Sequence, residues 1–164
     1  MIKVTISDEM LVKAKQKATE LGKLNNSILK GDGNLIGFLG EEVANDILKG
    51  NIKNSYDYDI ILNTGKTVDV KTKKTTVEPK QYYDCSVAAF NTKQKCDYYC
   101  FVRIKDDLSC GWFLGIYDKK DYFKDADFLK KGQIDPSNNF TVKADCYNMK
   151  INQLKEYNED YCIH

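Results

Sequence analysis

The stretch Asp57-Tyr58-Asp59-Ile60-Ile61-Leu62-Asn63-Thr64-Gly65-Lys66-Thr67-Val68-Asp69-Val70-Lys71-Thr72-Lys73 decides how the chain is read. Two runs rich in Ile, Val and Thr flank Asn63-Thr64-Gly65, and a three-residue loop with glycine at its left-handed position is a favoured closure for a β-hairpin. That loop sets a register in which Leu62 faces Lys66, Ile61 faces Thr67 and Asp59 faces Asp69. Side chains alternate across a strand, so Asp57, Asp59, Asp69 and Lys71 share one face and Ile60, Val68 and Val70 the other. Asp57 then lies opposite Lys71 and reads as a salt-bridge residue rather than a ligand.

Carboxylates directly opposite one another destabilise a sheet, so packing alone gives no reason for Asp59 to face Asp69. A divalent cation between them reverses the sign of the interaction, because a hard ion such as Mg²⁺ is held by one or two carboxylates together with water and substrate phosphate. Lys71, two residues beyond Asp69, points to the same spot. An acidic pair beside an ammonium suits hydrolysis of a phosphodiester.

These residues also carry a resemblance. Asp59 followed by Asp69-Val70-Lys71 resembles the signature of the PD-(D/E)XK nuclease superfamily, with Tyr58 where a proline often precedes the first Asp. Gly40, Glu41 and Ala44 are similar to the G-E-x-x-A pattern of that superfamily's first helix. The resemblance implies that Asp59 and Asp69 hold Mg²⁺ or Mn²⁺ with the Val70 carbonyl and, through a second ion or a water, Glu41, while Lys71 assists the attacking water. Glu42 is the alternative to Glu41, because counting Leu35 and Leu39 into the apolar face turns that face toward it. Asn91 and Gln94 lie on a connection where members often place groups that touch substrate, and Lys73 adds charge beside the site.

The resemblance spans residues 34–105 and implies an α/β (α+β) fold, a restriction-endonuclease-like core whose mixed central β-sheet is flanked by helices, within a single domain over 1–164. The activity implied is that of a Mg²⁺-dependent deoxyribonuclease acting on DNA, as a homodimer where both strands are cut. Phage-encoded endonucleases, Holliday-junction resolvases and small restriction-type enzymes share this short form. The alternative is a non-catalytic DNA-binding or structural protein that keeps the core.

Composition bounds these readings. With 164 residues, 42% hydrophobic and 30% charged, the chain is long enough for a real core and too apolar for disorder. A net charge of +1 gives no global attraction to a polyanion, so a nucleic-acid site must be built locally, and Lys66, Lys71, Lys73, Lys74 and Lys80 gather around the hairpin. No stretch approaches the ~18 apolar residues of a membrane span. Met1-Ile2-Lys3-Val4 opens directly into an alternating run, so a cytoplasmic location is expected, the host cytoplasm if the protein is phage-encoded. The six cysteines contain no C-x-x-C and the one histidine is His164, so buried thiols are expected before a zinc site or an iron–sulfur cluster.

Along the rest of the chain, residues 2–6 alternate as a strand, and Ser7 caps a helix that runs to Leu21 and stops at Gly22. Lys13, Lys15 and Lys17 read as its solvated face. Gly31-Asp32-Gly33 reads as a loop, and residues 34–49 as a helix stopped by Gly50, with Gly40 where close packing on a sheet needs a small side chain. Residues 73–79 are expected as a basic loop, 82–90 as a third strand, 91–95 as a turn, 98–104 as a central buried strand and 111–117 as the next. A charged amphipathic helix over 118–131, a loop to 139, a strand over 140–143 and a short helix over 152–157 complete the expectation.

Overall fold

The computed structural model describes residues 1–25, 32–53 and 55–158. Strand β1 (Ile2–Thr5) is followed by helices α1 (Asp8–Asn25) and α2 (Asp32–Leu48), then by strands β2 (Asn51–Ile52), β3 (Ile60–Ile61) and β4 (Thr67–Thr75). Strand β5 (Asp84–Ala88) leads through a 3₁₀ turn (Ala89–Lys93) into β6 (Tyr98–Lys105) and β7 (Cys110–Asp118). Helix α3 (Lys119–Asp125), strands β8 (Asp127–Leu129) and β9 (Cys146–Lys150) and a second 3₁₀ turn (Ile151–Gln153) close the chain.

Between Ile60 and Lys66 the hairpin takes the register read from its loop; the ladder ends there, so Asp59 does not pair with Asp69, and its N–H donates to the Val68 carbonyl instead. Ile61 pairs with Thr67 and Ile60 with Val68, the Leu62 N–H donates to the Lys66 carbonyl at 2.8 Å, and Gly65 takes φ +82°. Six strands order as β1-β7-β6-β4-β3-β2, with β4 parallel to β6 and the other pairs antiparallel, which makes the sheet mixed. β6 lies inside it, as its two-sided apolar pattern requires: Cys100, Val102 and Ile104 pack with α2, while Tyr99 and Phe101 pack on the opposite side.

Helices α1 and α2 cover one face. Ser7 caps α1 as expected, its Oγ accepting from the Met10 N–H at 3.2 Å. Val43, Ala44 and Leu48 of α2 bury against Val68, Cys100, Val102 and Ile104. Gly40 brings α2 onto β4, since a Cβ there would stand 1.9 Å from Thr72 Oγ1. The other face is covered by a second sheet of order β5-β9-β8 and by α3, whose buried Tyr122 hydroxyl shares its one O–H between the carbonyls of Cys85 at 2.7 Å and Tyr147 at 2.8 Å. The fold is thus a mixed α+β arrangement of three layers: two helices, a six-stranded mixed sheet, and a small antiparallel sheet with one short helix.

Several expectations are corrected. Helix α1 passes through Gly22 to Asn25, and Asp32 and Gly33 belong to α2 rather than to a loop, while Gly31 lies outside the described residues. Lys49, with φ +51°, takes the left-handed conformation that ends α2; Gly50 instead makes room for β3, because a Cβ there would meet the Ile61 carbonyl at 2.6 Å. Lys73, Lys74 and Thr75 continue β4 rather than opening a loop, held by the parallel ladder to Arg103, Ile104 and Lys105. The third strand is shorter than residues 82–90 and joins the second sheet rather than the central one. The helix over 118–131 ends at Asp125, and Phe128 belongs to β8, paired with Tyr147 of β9. Residues 140–143 supply one bridge, Ile134 to Thr141, and the last helix is a single 3₁₀ turn.

Candidate active site

The site grows out of a mismatch in strand length. β4 runs nine residues, whereas its hairpin partner β3 contributes two. The backbone preceding β3 bends at Asp59, whose N–H still donates to the Val68 carbonyl at 2.9 Å. Its side chain then takes the place of the missing strand: Asp59 Oδ2 accepts the Val70 N–H at 2.7 Å. A strand residue directs its N–H and C=O to the same edge, so the Val70 carbonyl is directed to this edge too.

Asp69 is 3% exposed. Lys71 Nζ lies 2.5 Å from Asp69 Oδ2, yet that buried oxygen receives no aligned hydrogen bond. Lys71 Nζ also donates to Gln94 Oε1 at 3.0 Å and stands 5.7 Å from the centroid of the Tyr99 ring. Gln94 is held at both ends, its Nε2 donating to the Tyr56 carbonyl at 2.9 Å and its own carbonyl accepting from Lys119 Nζ. Tyr99 is the register partner of Asp69, and its buried hydroxyl has no hydrogen-bond partner among the described residues.

The electrostatics follow from crowding acids in a poorly solvated place. Burial and then the Asp69 charge raise the Asp59 carboxyl from 3.8 to about 7, against the Val70 N–H and the Lys71 charge. Glu41 is 8% exposed, and burial followed by the Asp59 charge raises it from 4.5 to about 8, against Lys17. Glu41 and Asp59 line one cavity of about 370 Å³ together with Lys17, Phe38, Lys53 and Ser55. Glu42 is also buried but lines a different depression, beside Lys13, Gln16 and Asn45.

The residues singled out in the sequence are thus partly brought together. Asp59, Asp69, Val70, Lys71 and Gln94 converge on the open edge of β4, and Glu41 reaches Asp59 from α2. Lys73 donates to Ser86 Oγ at 2.7 Å, and Asn91 lines a second cavity with Lys71 and Lys73. Asp57 does not meet Lys71; its Oδ1 accepts the Lys95 N–H at 3.1 Å, because the bend before β3 carries it off the strand face. Among the described residues no group of three or more His, Cys, Asp or Glu side chains is arranged to hold a metal ion, so Glu41 does not complete a ligand set with the two aspartates. The donors that remain are one carboxylate pair, its Asp69 Oδ2 ion-paired to Lys71, beside a backbone carbonyl. They are too few to cage a hard cation, which would keep most of its water here.

Lys17 escaped the sequence reading. Its Nζ lies 3.4 Å from Glu41 Oε2 and 3.9 Å from Glu42 Oε1, so it is an ion-pairing residue at the site rather than part of a solvated face. The available signal was Ala14 and Ala18, one turn apart and both buried, which mark the packed stripe that Lys17 borders. The five described cysteines are free thiols, and Cys162 and His164 lie outside the described residues. Among the described residues no helix is long and apolar enough to cross a membrane. Compared with protein-family models and with curated proteins, the chain matches none.

Proposed function

We propose that the chain is a metal-dependent endonuclease that hydrolyses phosphodiester bonds in DNA, built on a restriction-endonuclease-like core. The observation that carries this reading is the buried pair Asp59 and Asp69, one held up to about 7 by the charge of the other after burial, with the Lys71 ammonium 2.5 Å from Asp69. Two crowded acids in a poorly solvated edge cost stability, and a cation relieves that cost.

Asp59, Asp69 and the Val70 carbonyl are the groups that would hold Mg²⁺ or Mn²⁺, which when bound lowers the pKa of water and offsets charge on the phosphate. The Val70 N–H fixes the Asp59 carboxylate, so its orientation does not depend on the substrate. Gln94 steers the Lys71 ammonium, which is placed to hold a water or to donate to a phosphate oxygen as negative charge develops there. Glu41 keeps its proton near neutral pH and is placed to exchange it with groups in the cavity it shares with Asp59.

The test is cleavage of labelled duplex, single-stranded, flapped and four-way-junction DNA in Mn²⁺ by the wild type, Asp69→Ala and Lys71→Ala. The expected outcome is cleavage of at least one substrate by the wild type, reduced on the order of 10²–10³-fold or more in either variant. Cleavage at equal rates by wild type and Asp69→Ala, or DNA binding without cleavage in all three, would overturn the reading; the second result would leave a non-catalytic DNA-binding protein.

A further inference from the structure

Beyond the acidic edge, β4 and β6 carry an unbalanced pair of cations. Lys73 and Arg103 are direct register partners across the parallel ladder, and like charges opposite one another destabilise a sheet. Both line a cavity of about 210 Å³ between the two sheets, together with Lys71, Ser86 and Asn91. Among the described residues neither Lys73 nor Arg103 forms a salt bridge: Lys73 donates to the neutral Ser86 hydroxyl at 2.7 Å and Arg103 Nη2 to the Asp84 backbone carbonyl at 2.8 Å.

The neighbouring acids are already engaged. Asp84 also lines the cavity, but its Oδ1 is paired with Lys150 Nζ and its Oδ2 accepts from Asn138 Nδ2 at 2.7 Å. Asp69 is engaged by Lys71. Cys85, on the cavity wall, stays a neutral thiol because burial pushes it up to about 12. The Asp84 carboxylate acts on both Lys73 and Arg103 while paired with Lys150, and the Arg103 guanidinium stands 5.5 Å from the Tyr83 ring centroid. Lys73 and Arg103 therefore face a small polar chamber as two cations without a salt-bridge partner among the described residues. The Ser86 hydroxyl and the Asn91 amide stand beside them as neutral hydrogen-bonding groups.

We propose that this chamber is a phosphoryl-binding site formed by Lys73, Arg103, Ser86 and Asn91. An anion between Lys73 and Arg103 turns their repulsion into two attractions, and a guanidinium fork suits phosphate oxygens. Lys71 lines both this chamber and the acidic edge, so a phosphate held here lies next to the position proposed for the reacting one. Resting on the nuclease reading, the ligand is a backbone phosphate adjacent to the scissile bond. The same chemistry would also accept free inorganic phosphate or a terminal phosphate.

The experiment measures binding of a fluorescent DNA oligonucleotide in EDTA across a salt series, beside the thermal shift given by inorganic phosphate. It compares wild type with Lys73→Gln and Arg103→Gln; Lys73 is exposed, so its variant tests the site even if loss of the Arg103–Asp84 contact impairs folding. The expected result is oligonucleotide affinity weakened about tenfold in each folded variant, with the slope of log K against log salt reduced by about one. Phosphate should also lose its stabilising shift in both. A phosphate shift confined to the wild type, with no oligonucleotide binding, would sustain the anion site while removing DNA as its ligand, and so separates this proposal from the nuclease reading. Wild-type affinity, slope and phosphate response in a folded Lys73→Gln would overturn it, as would a wild type that binds neither probe.

Discussion

At the scale of single residues, Glu41 and Asp59 meet a shared electrostatic difficulty. Both are carboxyls held above their ordinary values of 4.5 and 3.8, to about 8 and about 7, by burial first and by neighbouring carboxylates second. In the folded protein they keep protons that the unfolded chain has lost, so unfolding releases protons throughout that window. Stability measured in EDTA therefore falls as pH rises from about 4 to about 8 and levels off beyond, by at most about 1.4 kcal/mol per pH unit for each proton released. Glu41→Gln preserves shape and a hydrogen-bonding group for Lys17 while removing one titration. Urea unfolding at pH 5, 7 and 9 should show a shallower decline in that variant, and the same slope as wild type would mean that Glu41 does not carry a displaced proton.

The aspartates and Lys71 were legible because hairpin alternation is a local rule: one loop of three residues fixes which side chains share a face. Lys17 and Arg103 were not. Each is brought to its place by contacts between segments far apart in sequence, which no periodicity within α1 or β6 encodes. Asp57 departs for another reason: strand alternation ends where the backbone bends before β3, and its carboxylate turns to accept the Lys95 N–H.

At the scale of elements, the contact of α2 with β4 positions Glu41 against the acidic edge, and Gly40 is the residue that permits it. A glycine inside a helix ordinarily gains about 1 kcal/mol on replacement by alanine. Here the new Cβ would meet Thr72 Oγ1 at 1.9 Å and Thr72 Cγ2 at 2.7 Å, so the sign should invert. Gly40→Ala is expected to lose about 1–3 kcal/mol in chemical denaturation, with part of that loss restored when Thr72→Ala is added. A stabilised Gly40→Ala protein would show that α2 does not sit this close to the strand. The hairpin and α2 could be read from sequence because each carries a regular alternation or helical stripe, and β6 and β7 because their runs are apolar on both faces. β8 and β9 could not: Phe128 is exposed and Tyr147 half-buried, so their pairing leaves no alternation strong enough to outweigh the helical look of residues 118–131.

At the scale of the molecule, a near-neutral protein concentrates its useful charge in one region. The acidic pair lies along the open edge of β4, and the Lys73–Arg103 pair lies further along the same strand, between the two sheets. The second sheet, whose joining of β5 to β9 needs a partner some sixty residues away, is the part of the architecture that sequence patterns left invisible, and it supplies the far wall of the cationic chamber. A mixed central sheet with helices on both sides was expected; helices α1 and α2 cover one face, whereas the other is covered mainly by a small sheet, with the short helix α3 beside it.

The central claim is that Asp59 and Asp69 form a cation site in which Lys71, ion-paired to Asp69 Oδ2 at 2.5 Å, is not itself a ligand. Calorimetric titration of Mn²⁺ into the wild type, Asp69→Ala and Lys71→Ala at pH 8, repeated at pH 5.5, tests it most directly. The account predicts binding by the wild type at pH 8, weakened at pH 5.5 where Asp59 holds its proton, and abolished in Asp69→Ala. Lys71→Ala should bind at least as well as wild type, because the ammonium competes with the cation for Asp69 Oδ2. Absence of binding by the wild type, or equal binding by Asp69→Ala, would contradict the account.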